Sequence, residues 1–149
     1  MIVDFHTHIL PGMDDGSADP AESAAMLAEE ARQGVDLVVL TPHFYATENS
    51  PRQFLARRSA AYQRLMQVVR PEFPQLRLGA EVQYFEGMSR AESLDALRVE
   101  GTPLLLLEMP FSRWPSRTVS EVLEVNDRQG MQVVLAHVER YLPMQHEEV

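Results

Sequence analysis

Short apolar runs alternate with longer stretches in which apolar residues recur every three or four positions, which predicts a chain of alternating strands and helices. Ile2 to Phe5 reads as the first strand, and a turn-rich stretch from Pro11 to Asp19 follows. Asp19 then stands as N-cap, Pro20 at the first helical position and Glu22 at the capping-box position, so a helix starts there. Ala24, Leu27, Ala28 and Ala31 share its inner face, and Gly34 is its stop. Val35 to Leu40 is a short buried strand ended by Pro42, and Thr47 to Pro51 reads as loop. A second helix is predicted over Arg52 to Arg70, with Leu55, Tyr62, Leu65, Met66 and Val69 inward, before Pro71 and Pro74 break the chain. Leu76 to Val82 reads as the third strand, Ser89 to Leu97 as a short helix and Leu104 to Met109 as the fourth strand. Ser116 to Gln129 is a helix that turns Val119, Val122 and Leu123 inward and stops at Gly130. Met131 to Ala136 is the fifth strand, and Pro143 to Val149 reads as a frayed end.

Apolar strands alternating with amphipathic helices predict an α/β fold, with about five parallel strands and flanking helices. At 149 residues the chain fits one domain that buries a core without disulfides. The apolar run Leu104 to Leu107 is far too short for a membrane span. The segment Met1 to His6 lacks the basic region and long apolar stretch of a signal peptide, so the expected location is the cytoplasm.

Composition narrows the chemistry. There is no Cys and no Lys, which excludes thiol nucleophiles, zinc–thiolate and iron–sulfur sites, Schiff bases and the P-loop lysine. Asp and Glu number 22 against 13 basic residues, all Arg, for a formal net charge of -9, so nucleic acid is not an expected partner. Five His and many carboxylates leave a metal site of nitrogen and oxygen ligands as the natural centre of chemistry.

Ligand-binding groups in parallel α/β folds sit at the carboxyl ends of the strands. Here the first strand ends in His6-Thr7-His8, the second in Thr41-Pro42-His43, the third carries Glu81, the fourth Glu108, and the fifth ends at His137. Asp14 and Asp15 lie in the first strand-to-helix loop. One such histidine would most often be an ordinary hydrogen-bonded residue, but all five strands end this way. The spacing of His6 and His8 puts both rings on one face of an extended segment. Glu108 follows four leucines, where an unpaired carboxylate is costly to bury and a cation removes the cost. Imidazole with carboxylate suits Mn, Fe or Zn, and the carboxylate share favours Mn. Glu81 and Glu108 are placed to bridge ions, and bridged ions lower the pKa of water and neutralise charge on a phosphoryl group.

Arg140 lies three residues beyond His137, and its fork suits two phosphate oxygens as well as it suits a salt bridge to Glu139. Arg113 also sits in a strand-end loop and is a second candidate for substrate contact. Phe111 and Trp114 either wall the pocket and stack on an aromatic substrate ring or simply pack. Arg52, Arg57, Arg58, Arg64 and Arg70 spread around the second helix and read as a solvated surface, the alternative being a docking face for an acidic or phosphorylated partner. Met13, Met26, Met66, Met88, Met109 and Met131 read as packing residues, and His146 as a surface histidine.

The run Phe5-His6-Thr7-His8-Ile9-Leu10-Pro11-Gly12 through Asp14-Asp15-Gly16-Ser17 resembles the opening of the PHP (polymerase and histidinol phosphatase) superfamily. With Thr41-Pro42-His43, Gly79-Ala80-Glu81-Val82, Leu107-Glu108-Met109-Pro110 and Ala136-His137-Val138-Glu139-Arg140-Tyr141, it is similar to the CpsB-type bacterial manganese-dependent protein-tyrosine phosphatases. The likeness covers nearly the whole chain. It implies a distorted TIM-like β/α barrel with a site for up to three ions, manganese first and iron or zinc as alternatives. By resemblance His6, His8 and Glu81 hold the first ion, Glu81, Glu108 and His137 the second, and Asp15 and His43 the third. Arg140 matches the family arginine that grips the substrate phosphate. The implied substrate is phosphotyrosine on the tail of a bacterial tyrosine kinase that controls capsular or exopolysaccharide synthesis. Family members are longer, and their later strands supply an Asp-x-His pair that this sequence lacks. The expectation is therefore a single PHP domain, residues 1–149, without the last strands of the barrel and with an open sheet edge that a second copy or another chain could cover. The rival readings are a small-molecule phosphatase of the histidinol-phosphate type and a metal-binding remnant without catalysis.

Overall fold

The computed structural model describes residues Met1 to His146. In chain order the elements are β1 (Val3–Thr7), α1 (Pro20–Arg32), β2 (Leu37–Leu40), β3 (His43–Phe44), α2 (Pro51–Met66), β4 (Gln75–Leu78), β5 (Glu81–Gln83), β6 (Leu104–Glu108), α3 (Ser116–Gln129) and β7 (Gln132–Leu135). Every strand pair is parallel, in two sheets ordered β1-β2-β4 and β3-β5-β6-β7.

The two sheets are one ladder with a kink. Leu40 faces Leu78 below the break and His43 faces Glu81 above it, so the register is unchanged. The Gly79 N–H donates to the Leu40 carbonyl and the Glu81 N–H to that of Pro42, which carries the ladder across. Pro42 has no N–H to give, so the second strand bends there into β2 and β3. Its neighbour bends beside it, at Gly79 and Ala80, where the expected strand Leu76 to Val82 divides into β4 and β5. A Cβ on Gly79 would stand 3.3 Å from Thr41 Cγ2 and Val39 Cγ1, so the smallest residue fits where the bent strands close on each other. Counted with their continuations, the strands are the five expected, lying side by side in sequence order. The sheet curves enough that the His6 ring, on β1, lies 5.8 Å from the His137 ring at the end of β7.

Helix α1 starts as its sequence requires, with the Asp19 carboxylate accepting from the Glu22 N–H. Helix α2 begins at Pro51, not within the helix body, because Ser50 and Gln53 form a reciprocal capping box. It ends at Met66 rather than Arg70, and Met66 is exposed while Phe54, Ala61 and Leu65 are buried. Three of its arginines are not simply solvated. Arg57 donates to the Met13 carbonyl (3.1 Å), Arg64 to that of Pro11 (2.8 Å) and Arg58 to that of Gly79 (2.6 Å). They pin the loop after β1 and the strand kink, two features that shape the site. The expected helix Ser89 to Leu97 is instead two separate 3-10 turns, Met88–Arg90 and Leu94–Leu97, interrupted at Ser93 with φ 63°.

Buried Leu27, Val38, Leu40, Phe44, Leu65, Val82, Leu105 and Leu107 fill the core, each contributing about 1.5–3 kcal/mol by leaving water. Buried Met88, Met109 and Met131 pack as expected. Val119 and Leu123 of α3 do not turn inward. Leu123 is 66% exposed, and both line an apolar groove of about 620 Å³ beside edge strand β7. Leu142–Met144 forms a further 3-10 turn and His146 is exposed, while residues 147–149 of the expected frayed end lie outside the described residues. Among the described residues no helix is long and apolar enough to cross a membrane.

Candidate metal centre

The end of strand β1 presents His6, and the residue just beyond it His8, on one side because Thr7 between them is fastened on the other. The Thr7 N–H donates to Thr41 Oγ1 (2.9 Å), Thr41 Oγ1 donates to the Thr7 carbonyl (3.0 Å), and Thr7 Oγ1 donates to the Val39 carbonyl (2.7 Å). The chain then folds back over His8, whose carbonyl accepts from the Ser17 N–H at 2.9 Å. A Cβ at Gly16 would stand 2.2 Å from that carbonyl oxygen and 2.4 Å from the His8 Cβ, so this close approach requires glycine. Gly16→Ala is accordingly expected to destabilise the protein by about 1–3 kcal/mol through overpacking, read as a lower thermal midpoint.

Four imidazoles converge on Glu81, a carboxylate only 1% exposed at the start of β5. His6 Nε2 lies 2.9 Å and His8 Nε2 3.1 Å from Glu81 Oε2. His137 Nε2 is 2.9 Å from Glu81 Oε1 and 3.1 Å from Glu108 Oε2. His43 Nδ1 stands 3.3 Å from Glu81 Oε2 without the alignment of a hydrogen bond, and the buried Nδ1 atoms of His43 and His137 have no partner. His137 is held over the strand ends by a left-handed backbone, φ 34°, a strained state that costs about 1–2 kcal/mol.

This arrangement fits divalent ions. His6 Nε2 and His8 Nε2 face each other at 3.2 Å, and both lie against one carboxylate oxygen. Ligands about 2.1 Å from a shared ion stand roughly 3.0–3.4 Å apart, so the three atoms have the spacing of one coordination face. Three sets of donor atoms are close enough to share an ion: His6, His8 and Glu81; His8, Asp14 and His43; and His43, Glu81 and Glu108.

By resemblance Asp15 serves the third set with His43, and it lines the same cavity as that ring, whereas Asp14 is turned to His8. Asp15 has a side chain 90% exposed, 3.8 Å from His43 Nε2. Asp14 is mostly buried; its Oδ2 accepts from His8 Nδ1 and the His43 N–H, each at 3.0 Å, and its Oδ1 from the Gly16 N–H at 3.0 Å. A carboxylate on Nδ1 fixes the His8 tautomer and leaves Nε2 as the ligand atom. The resemblance named Asp15 and gave Asp14 no role; the Asp14 contacts with His8 Nδ1 and the Gly16 N–H emerge only from the structure.

Burial opposes charge on His8, but its hydrogen bonds to Asp14 and Glu81 outweigh it and raise the pKa to about 10. Burial also opposes charge on Asp14, yet the His8 ring and the His43 and Gly16 N–H groups bring it down to about 2. Glu81 likewise overcomes its burial through His6 and His8 and is held well below the usual carboxylate range. The raised His8 value gives the metal-free protein stability that is full below pH 6.5 and is lost as pH rises through about 10. The lowered Asp14 value gives stability present above pH 3.8 and lost as pH falls through about 2. In the presence of a chelator the melting temperature is expected to fall from pH 6.5 toward 10, and His8→Ala to flatten that slope.

His6, His8, Asp15, His43, Glu81, Glu108 and His137 line an open cavity of about 680 Å³, with Tyr45, Gln83, Phe111 and Arg140 completing its wall. Arg140 is exposed on the 3-10 turn Val138–Arg140, directly after His137. Tyr45 stacks on the His43 ring at 5.3 Å, and burial with the charges of Glu108 and Glu81 pushes its hydroxyl up to about 12. Arg113 is exposed in the β6–α3 loop and is not among the residues lining this cavity. Trp114 is also elsewhere: it lines the groove beside α3 and donates its indole N–H to the Pro110 carbonyl at 3.0 Å. Tyr45 and Gln83 carried no sequence signal, since neither stands in a ligand-like spacing.

A curved parallel α/β sheet gathers histidines and carboxylates at its strand ends in groups that could hold metal ions. The CpsB/CapC family model, described as capsular polysaccharide synthesis, matches residues 2–149, and the chain belongs to that family. It is 33% identical over 143 residues to tyrosine-protein phosphatase YwqE of Bacillus subtilis (strain 168), covering 93% of this chain and 55% of the relative. It is 29% identical over 150 residues to tyrosine-protein phosphatase CpsB of Streptococcus pneumoniae, covering 99% of this chain and 60% of the relative. A chain from the crystal structures of YwqE from Bacillus subtilis and CpsB from Streptococcus pneumoniae, described as metal-dependent tyrosine phosphatases, superposes with a TM-score of 0.71. That match has 26% identity and covers 93% of this chain and 56% of the other. The chain thus spans little more than half the length of these relatives.

Proposed function

We propose that this chain is a metal-dependent phosphomonoester hydrolase acting on phosphotyrosine in proteins. The observation that carries the reading is the convergence of four imidazoles on the buried carboxylate of Glu81, at the rim where the strands end. The kinship with tyrosine phosphatases supports the substrate class. His6, His8 and Glu81 would hold one ion, and Glu81, Glu108 and His137 a second. His43 and Asp15 would serve a third. The carboxylate share favours manganese. Bound ions would supply a Lewis-acid centre that lowers the pKa of water and neutralises phosphoryl charge.

The chain's own residues do the rest. Glu81 keeps its charge in a buried setting because imidazoles face it, and Glu108 stands against the His137 ring. Asp14 holds His8 in register. Arg140, at the mouth, offers two parallel N–H donors to the phosphate oxygens and orients the ester. The protein partner would be a phosphotyrosine-bearing bacterial tyrosine kinase tail, a reading consistent with a family described by capsular polysaccharide synthesis.

Phosphate release from a phosphotyrosine peptide by the purified chain tests the reading. Turnover is expected with Mn2+, is lost on chelation and returns when Mn2+ is restored. Metal uptake without phosphate release from any aryl phosphate would instead make the chain a metal-binding unit without catalysis. A preference for histidinol phosphate over the peptide would overturn the substrate assignment.

A further inference from the structure

We infer that Phe111 is a specificity-determining residue that receives the aromatic ring of the substrate, an inference that rests on the phosphatase reading. Phe111 lies three residues beyond Glu108, lines the metal cavity and is 50% exposed. It is nonetheless firmly placed. Its ring lies nearly parallel to that of His137, at 14° and 5.7 Å, and against Tyr141 at 5.3 Å. Tyr141 is fully buried, accepts from the Met109 N–H through its hydroxyl (3.1 Å) and backs onto Trp114 at 5.5 Å. A ladder of rings from Trp114 through Tyr141 thus fixes Phe111 from within and leaves its outer surface to water.

Half of a large apolar ring in water beside buried carboxylates gains nothing for the fold, and burying the remaining surface is favourable. The occupant must accept charge at one end and apolar contact at the other. An aryl phosphate does both: its phosphoryl group meets Arg140 and the ligand cluster, and its ring meets Phe111. Trp114 takes no part, since it faces the groove beside α3. If Phe111 only shielded His137, its removal would weaken every phosphoryl ligand alike.

Calorimetric binding of phenylphosphonate and methylphosphonate to the manganese-loaded protein separates these roles without requiring turnover. Phe111→Ala is expected to weaken phenylphosphonate about two- to tenfold and leave methylphosphonate unchanged, with Phe111→Leu in between and Phe111→Tyr close to the parent. Metal content and melting temperature of each variant confirm that the site is intact. Equal weakening of both ligands, or no change in either, overturns the role of Phe111 while leaving the phosphatase reading in place. Failure of both phosphonates to bind the parent protein overturns the phosphatase reading itself.

Discussion

Glu81→Ala is expected to lower turnover of a phosphotyrosine peptide at least about a thousandfold, the loss of several kcal/mol of transition-state stabilisation at a metal centre. The substitution removes the one carboxylate that touches His6, His8, His43 and His137 together. With it goes the shared ligand of both proposed principal ions. Glu81→Gln keeps the volume and one oxygen but not the charge, so it separates a folding defect from a ligand defect. The Gln variant is expected to fold, to bind fewer ions per chain and to lose turnover nearly as far. Steady-state rates, metal content and circular dichroism on the same samples decide the matter. Parent-level turnover in Glu81→Gln would remove Glu81 from the machinery.

Arg140→Ala is expected to lower kcat/KM about ten- to a hundredfold, the cost of losing hydrogen bonds to a charged partner. Most of the loss should fall on KM, because the guanidinium stands at the mouth of the cavity rather than among the buried donors. Arg140→Lys restores charge but not the planar fork, so it should recover part of the loss. Metal content should not change in either variant. An unchanged KM in Arg140→Ala, or a loss of bound metal, would contradict a phosphate-binding role.

The sequence pattern revealed the five strands and the gathering of histidines and carboxylates at their ends, for a simple reason. Strand ends are set by local breaks such as Pro42, and in a parallel sheet all carboxyl ends fall on one rim. His6, His8, His43, Glu81, Glu108 and His137 could therefore be placed on that rim without knowing any contact. The kink was not visible, because alternation of apolar residues across Gly79 and Ala80 reads as an uninterrupted strand. The contact of Asp14 with His8 was not visible, because it depends on a fold-back over His8 that Gly16 permits. The arginines of α2 looked like a solvated face because their partners are backbone carbonyls of the Pro11–Met13 loop and the kink, which carry no side-chain signature. Val119 and Leu123 followed helical periodicity faithfully, yet periodicity marks an apolar face and not what covers it.

Anomalous diffraction from crystals of this chain grown with Mn2+ tests the centre most directly. Manganese peaks are expected within bonding distance of His6 Nε2, His8 Nε2 and Glu81 Oε2, with a second peak between Glu81, Glu108 and His137. Well-ordered crystals whose cavity shows no peak at saturating Mn2+, with the imidazoles still hydrogen-bonded to Glu81, would contradict the account.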